Sequence, residues 1–268
     1  MRMVDGRVAA AVLTSVFTLA GCGFDDAQEA APTPSTPTPP RQMVVVMRLD
    51  FDGAVGPLAE GQRVPDASGS GSDGTVRLAG ASPEPLRLVA GPDAVGTAAQ
   101  FPAPCPAETG AGCTKAVIEV LDAPALDPGE EDFRFGASVL LAPDMTSAGS
   151  NVVQKGFAAG GGSQWKLQVD GKDGKPSCVV VGTGEETVYE ARAEIGVADS
   201  SWHEIICERA GKTLTIEVDG ASAGTAVLRE GLSISPTGPV RLAGKNVKPN
   251  NDQYFGALDD VFFEVPQL

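Results

Sequence analysis

One histidine and a few acidic clusters are what this sequence offers to acid–base chemistry. His203 is the only histidine in the chain, so any Ser-His-Asp or Cys-His arrangement has to use it. It stands in the run Trp202-His203-Glu204-Ile205, where a partly buried histidine hydrogen-bonded within a sheet is the expected role. Among the acids, Glu130-Glu131-Asp132 reads as a loop-like charge cluster. Asp259 and Asp260 are neighbours on one extended run, which predicts side chains on opposite faces. Neither group makes the paired carboxylates that hydrolyse glycosidic bonds. Cys105, Cys113, Cys178 and Cys207 lack the close paired spacing of a zinc site, and His203 is not placed to complete one.

The fifth cysteine has a different setting. Arg2 and Arg7 precede a run from Val8 to Ala20 that is almost wholly apolar or small, and Leu19-Ala20-Gly21-Cys22 follows. A run of this length is too short to cross a bilayer as a helix, and the order of charge, apolar stretch and small residues is that of a signal peptide. Its last four residues resemble the bacterial lipobox. The resemblance implies a lipid on the Cys22 thiol with cleavage before it, and a membrane anchor on the outer face of the cell membrane, because two acyl chains hold a protein where one does so marginally. Residues 23–42 alternate Pro with Thr or Ser and carry almost no large apolar side chain, which predicts an extended tether. The expected organisation is a signal peptide over 1–21, a lipidated Cys22 with its tether over 22–42, and one folded domain over 43–268.

That domain has the composition of an all-β protein. The chain holds 33 Gly and 21 Pro with 5% aromatic residues, which means many turns between short strands. Its formal net charge of −15 repels phosphate backbones and argues against nucleic acid as a partner. Short β-type runs recur from Met43 to Val265, and no sustained amphipathic helix interrupts them. In the clearest stretch, Trp202 to Ala226, Leu214, Ile216 and Val218 alternate with Thr215 and Glu217, and Asp219-Gly220 supplies a hairpin turn. A three-strand meander is predicted there. Four cysteines in an exported domain imply two disulfides. Cys105 and Cys113 flank a short loop, and Cys178 and Cys207 are expected in strands of the same meander, so the pairs are Cys105–Cys113 and Cys178–Cys207.

Ordered phrases along the domain resemble the laminin G and concanavalin A-like lectin families. Trp202-His203 followed by Leu214 to Gly220 is similar to a signature in which a Trp-His strand precedes one ending in Val-Asp-Gly. Leu49 to Asp52, Val153-Gln154-Lys155-Gly156 with Trp165 to Val169, and Phe255 to Val261 are similar to the opening, central and closing strands, so the resemblance covers nearly all of 44–268. It implies a two-sheet antiparallel jelly roll. It also implies packing roles for Trp165 and Trp202, leaving Tyr189 and Tyr254 freer. A calcium ion near the first and last strands is a further implication, with Asp52 and Asp259 as ligands and Asp50 and Asp66 close by. Glycoside hydrolases of this fold carry Glu-x-Asp-x-x-Glu or a close variant on one strand, and this chain has no such string. The expectation is a non-catalytic surface module recognising glycan or an envelope protein. The alternatives are an interaction module without a sugar site and a divergent carbohydrate-active enzyme.

Overall fold

The computed structural model describes residues 41–80, 83–105 and 112–267. The signal peptide, Cys22 and residues 23–40 of the tether lie outside the described residues. From Arg41 onward the chain forms one compact unit.

In chain order the strands are β1 (Met43–Leu49), β2 (Gly56–Leu58), β3 (Arg63–Val64), β4 (Gly74–Ala79), β5 (Leu86–Ala90) and β6 (Thr97–Gln100). Then come β7 (Lys115–Val120), β8 (Phe133–Leu140), β9 (Asn151–Gly156), β10 (Gln164–Asp170), β11 (Lys175–Val181) and β12 (Val188–Arg192). The last are β13 (Trp202–Ala210), β14 (Thr213–Val218), β15 (Ala221–Val227), β16 (Val240–Leu242) and β17 (Ala257–Pro266). They build two antiparallel sheets. One is nine-stranded, in the order β15-β14-β13-β8-β17-β6-β5-β2 with β1 also paired to β17. The other is eight-stranded, in the order β12-β11-β10-β9-β16-β7-β4-β3.

The predicted meander is β13-β14-β15. Its second turn is the pair Asp219-Gly220, both at positive φ (53° and 74°), the conformation whose twist matches two antiparallel strands. Where β15 meets β12 at one side of the sandwich, Gly224 lies against the Arg192 backbone with no room for a Cβ.

Alternation decides what each strand buries. On β10, Trp165, Leu167 and Val169 turn inward and are fully or almost fully buried. Trp165 stacks between the sheets with Phe263 at 4.7 Å and Phe135 at 5.0 Å, and its Nε1–H donates to the Leu126 carbonyl at 3.1 Å. The expectation for Trp202 does not hold. It shares the parity of Glu204, Ile206 and Glu208 on β13, opposite to buried Ile205 and Cys207, and it is partly exposed. Tyr254, expected to be freer, is fully buried and donates its hydroxyl to the Leu140 carbonyl at 2.9 Å.

Both disulfides are present as paired in the sequence reading, Cys105–Cys113 and Cys178–Cys207. The setting of the second differs from that reading. Cys178 lies on β11 and Cys207 on β13, in opposite sheets, so the bond staples the two layers through the core.

Candidate functional site

The alternation that buries Trp165, Leu167 and Val169 puts Gln164, Lys166, Gln168 and Asp170 on the outer face of the eight-stranded sheet. Strand register then carries that face across the whole layer. Arg63 pairs with Thr75, Thr75 with Glu119, Glu119 with Arg241, Arg241 with Gln154, Gln154 with Lys166, Lys166 with Val179 and Val179 with Glu190. One transverse row thus crosses all eight strands, and only Val179 in it is apolar. With strands about 4.8 Å apart, the row spans roughly 30 Å. A second, shorter row runs Asn151, Gln168, Ser177, Arg192.

These groups are held in place and partly desolvated. Glu119 takes Arg241 Nε at 2.8 Å on one oxygen and Arg77 Nε at 3.3 Å on the other. Gln168 Nε2 donates to Ser177 Oγ at 3.1 Å, and Gln154 Nε2 to the Gly156 carbonyl at 3.2 Å. Asn151, Gln154 and Ser177 are buried although they belong to the outer face. The connection before β17 lies beside this face: Asp252 accepts from the Asn151 N–H through its carbonyl and from Lys245 Nζ at 3.0 Å through its carboxylate. Burial lowers the Lys166 pKa against the pull of Asp170, Asp252 and Glu190, and raises that of Asp170. A half-buried ammonium among carboxylates and amides is a set of fixed donors and acceptors, which suits hydroxyl-rich ligands. No strand position on this face is aromatic among the described residues; Phe157, just past β9, is exposed.

The acids of the opening and closing segments gather elsewhere. A depression of about 400 Å³ is lined by Arg48, Asp50, Asp52, Ala67, Val95, Gly96, Asp259 and Asp260. Asp259 and Asp260 both face it, contrary to strict alternation, because the β17 register shifts between Asp259 and Phe262 and Asp260 adopts φ 50°. Arg48 takes Asp260 in a two-pronged pair at 2.8 and 2.7 Å. Burial, with the charges of Asp260, Asp52 and Asp50, pushes Asp259 up to about 6. Asp52 accepts from the Thr97 N–H at 3.2 Å. Asp66 is occupied otherwise: its carboxylate accepts from the N–H groups of Arg48, Ser68 and Ser72 and from the Ser68 and Ser70 hydroxyls, bonds that outweigh burial and hold it well below the usual carboxylate range. Among the described residues no three His, Cys, Asp or Glu are grouped at metal-holding distances. Asp52 and Asp259 therefore contribute negative potential to this depression without a formed ligand set.

His203 sits between two carboxylates, with Nδ1 2.8 Å from Asp219 and Nε2 3.1 Å from Asp199. Burial opposes the charged ring, but the two hydrogen bonds outweigh it and the pKa lies above its ordinary 6.5. A folded-state value above the unfolded one stabilises fully below about 6.5, and the contribution is lost as pH rises through the folded value. The difference in Tm between the chain and its His203→Gln variant should thus shrink when measured from about pH 6 to about pH 9. A difference that grows with pH would contradict the clamp. In the acidic cluster before β8, Glu131 pairs with exposed Arg41, and Asp132 accepts from the Gly211 N–H at 2.6 Å.

Comparison with known proteins follows this geometry. Residues 135–263, from within β8 to within β17, match the Laminin_G_3 family model, described as concanavalin A-like lectin/glucanases superfamily. The strands before β8, which the sequence resemblance included, lie outside that match. No curated protein matches the chain. Among solved structures, domain 4 of AbnA, a GH43 extracellular arabinanase from Geobacillus stearothermophilus, in complex with arabinotriose, is similar with a TM-score of 0.58 and 13% identity over 84% of this chain and 94% of that one. The binding domain of botulinum neurotoxin DC in complex with SialylT has a TM-score of 0.56 and 10% identity over 84% of this chain. The same binding domain in complex with rat synaptotagmin II gives 0.55 and 11%, also over 84% of this chain. This chain spans 48% of each of the two neurotoxin structures. At these identities the likeness is one of fold.

Proposed function

We propose that this chain, which matches the concanavalin A-like lectin/glucanases superfamily model over residues 135–263, is a non-catalytic glycan-binding module. In this reading it is exported and held at the outer face of the membrane by lipid on Cys22, beyond a Pro/Thr-rich tether. The observation that carries the proposal is the polar row across the eight-stranded sheet. A protein that needed only to be soluble would place mobile charges on such a face; here Gln154, Ser177 and Asn151 are buried and hydrogen-bonded in fixed positions. These enclosed groups brace the face, and its partly exposed members, Gln168 held by Ser177 and Arg241 held by Glu119, lose little freedom when they bind sugar hydroxyls. Two of the similar structures are complexes named for arabinotriose and SialylT, which supports a saccharide as the ligand class.

The test is binding of the full chain to an array of envelope polysaccharides and neutral oligosaccharides. Retention of at least one glycan class, competed by the free oligosaccharide, is expected. Retention only by protease-sensitive envelope material would replace the proposal with a protein partner, the reading supported by the neurotoxin complex with synaptotagmin II.

Calcium belongs to the proposal as an accessory at Asp52 and Asp259. A divalent cation would offset the burial and the neighbouring carboxylate charges that raise Asp259, drawing carboxylate oxygens inward. Adding calcium after chelation should raise Tm, and Asp259→Asn should abolish the increment. An unchanged Tm in the wild-type chain would remove calcium from the account.

A further inference from the structure

Lysine is almost never fully buried without a partner, yet Lys155 on β9 is wholly enclosed. It faces inward opposite Trp165, the residue at the centre of the aromatic core. Two carboxylates meet it from the connection between β7 and β8. Its Nζ is in direct contact with Asp127 Oδ1 and 2.7 Å from Asp122 Oδ1. Their positions are set independently of the lysine: Asp127 closes the 3-10 turn Pro124–Leu126, whose Leu126 carbonyl is tied to Trp165, and Asp122 accepts from the Gly238 N–H at 3.1 Å. The Asp127 side chain is 27% exposed and that of Asp122 48%, so the far side of this pair opens to solvent while the amine does not.

Burial of this kind favours a neutral pair over a charged one. The reactive form of such a pair is the neutral one, a free amine against the Asp127 carboxylic acid, with the Asp122 carboxylate in reach of the nitrogen. We propose that Lys155 and Asp127 form an intramolecular amide bond, with Asp122 as the proton carrier. The Lys155 Nζ lone pair attacks Asp127 Cγ. Asp122 takes the proton that the nitrogen sheds and returns it to the departing hydroxyl, which leaves as water through the solvent side. One N–H and one C–OH bond break, one Nζ–Cγ bond and one water form, and no oxidant or cofactor is consumed. Holding amine and acid in contact supplies the proximity that such a condensation otherwise lacks. The bond would link β9 covalently to the crossover between the two sheets.

The test is peptide mapping of the full chain, purified with both disulfides formed as evidence of folding, then reduced, denatured and digested with trypsin. The expected result is no cleavage after Lys155 and a branched peptide joining Lys155 to Asp127, lighter than its two parts by the mass of one water. Asp122→Asn should leave both disulfides in place and yield the unbranched peptides in most molecules. Complete cleavage after Lys155 in disulfide-bonded wild-type chain, with no branched peptide, would overturn the proposal and leave a buried ion pair.

Discussion

Trp165→Ala should be the most destabilising single substitution in the domain, costing about 3–5 kcal/mol and lowering Tm by roughly 10 °C. Trp165 is 0% exposed and fills the middle of the space between the sheets. Its ring meets Phe135 at 5.0 Å and Phe263 at 4.7 Å, and Phe263 in turn meets Phe133 at 5.7 Å, so truncation opens a cavity that these rings of the facing nine-stranded sheet cannot close. The Leu126 carbonyl would also lose its donor. Trp202→Ala should cost much less, because partly exposed Trp202 leaves no enclosed void. Thermal unfolding of the two variants side by side decides the matter. Equal losses would mean that Trp202 belongs to the core after all.

Opening the Cys178–Cys207 bond should come next in size and should exceed the effect of opening Cys105–Cys113. The first closes a separation of 29 residues and the second one of 8. Chain-entropy reasoning then gives about 3–4 kcal/mol against about 2–3 kcal/mol. Location widens the gap. Cys178 and Cys207 are fully buried and join opposite sheets, so replacing them with Ala also removes packed sulfur from the interior, whereas neither Cys105 nor Cys113 belongs to the main core cluster. Denaturant unfolding of the Cys178→Ala/Cys207→Ala and Cys105→Ala/Cys113→Ala chains measures both. A larger loss in the second pair would refute the staple.

Features encoded within a few residues were legible in the sequence. The β13-β14-β15 meander follows from two-residue alternation and from Asp219-Gly220, whose positive φ angles need no tertiary information. The disulfide pairs were legible too, but not the sheets they join: Cys178 was expected beside Cys207 in one meander, and sheet membership depends on long crossovers that local pattern does not encode. Trp202 shows a different failure. The parity of Ile205 and Cys207 already assigns it to the outer face, and the family resemblance overrode that simple signal. Asp259 and Asp260 escape the alternation rule because a register shift and a left-handed residue intervene, which identical flanking residues would not reveal. Least legible was the polar row. Its members come from eight strands scattered between Arg63 and Glu190 and back from Arg241, and only register aligns them. A search for aromatic platforms passes over such a face.

The central claim is that the polar outer face of the eight-stranded sheet binds glycan, and it is tested most directly by substituting two of its side chains that the core does not need. Lys166→Ala and Gln168→Ala alter outward side chains on β10 while leaving Trp165, Leu167 and Val169 in place. Isothermal titration of the full chain with the oligosaccharide it retains should show each variant weakened by roughly tenfold or more, about 1.4 kcal/mol or above, with Tm close to that of the wild type. Undiminished affinity in both variants, with Tm unchanged, would contradict the account and move recognition away from the outer face of the eight-stranded sheet.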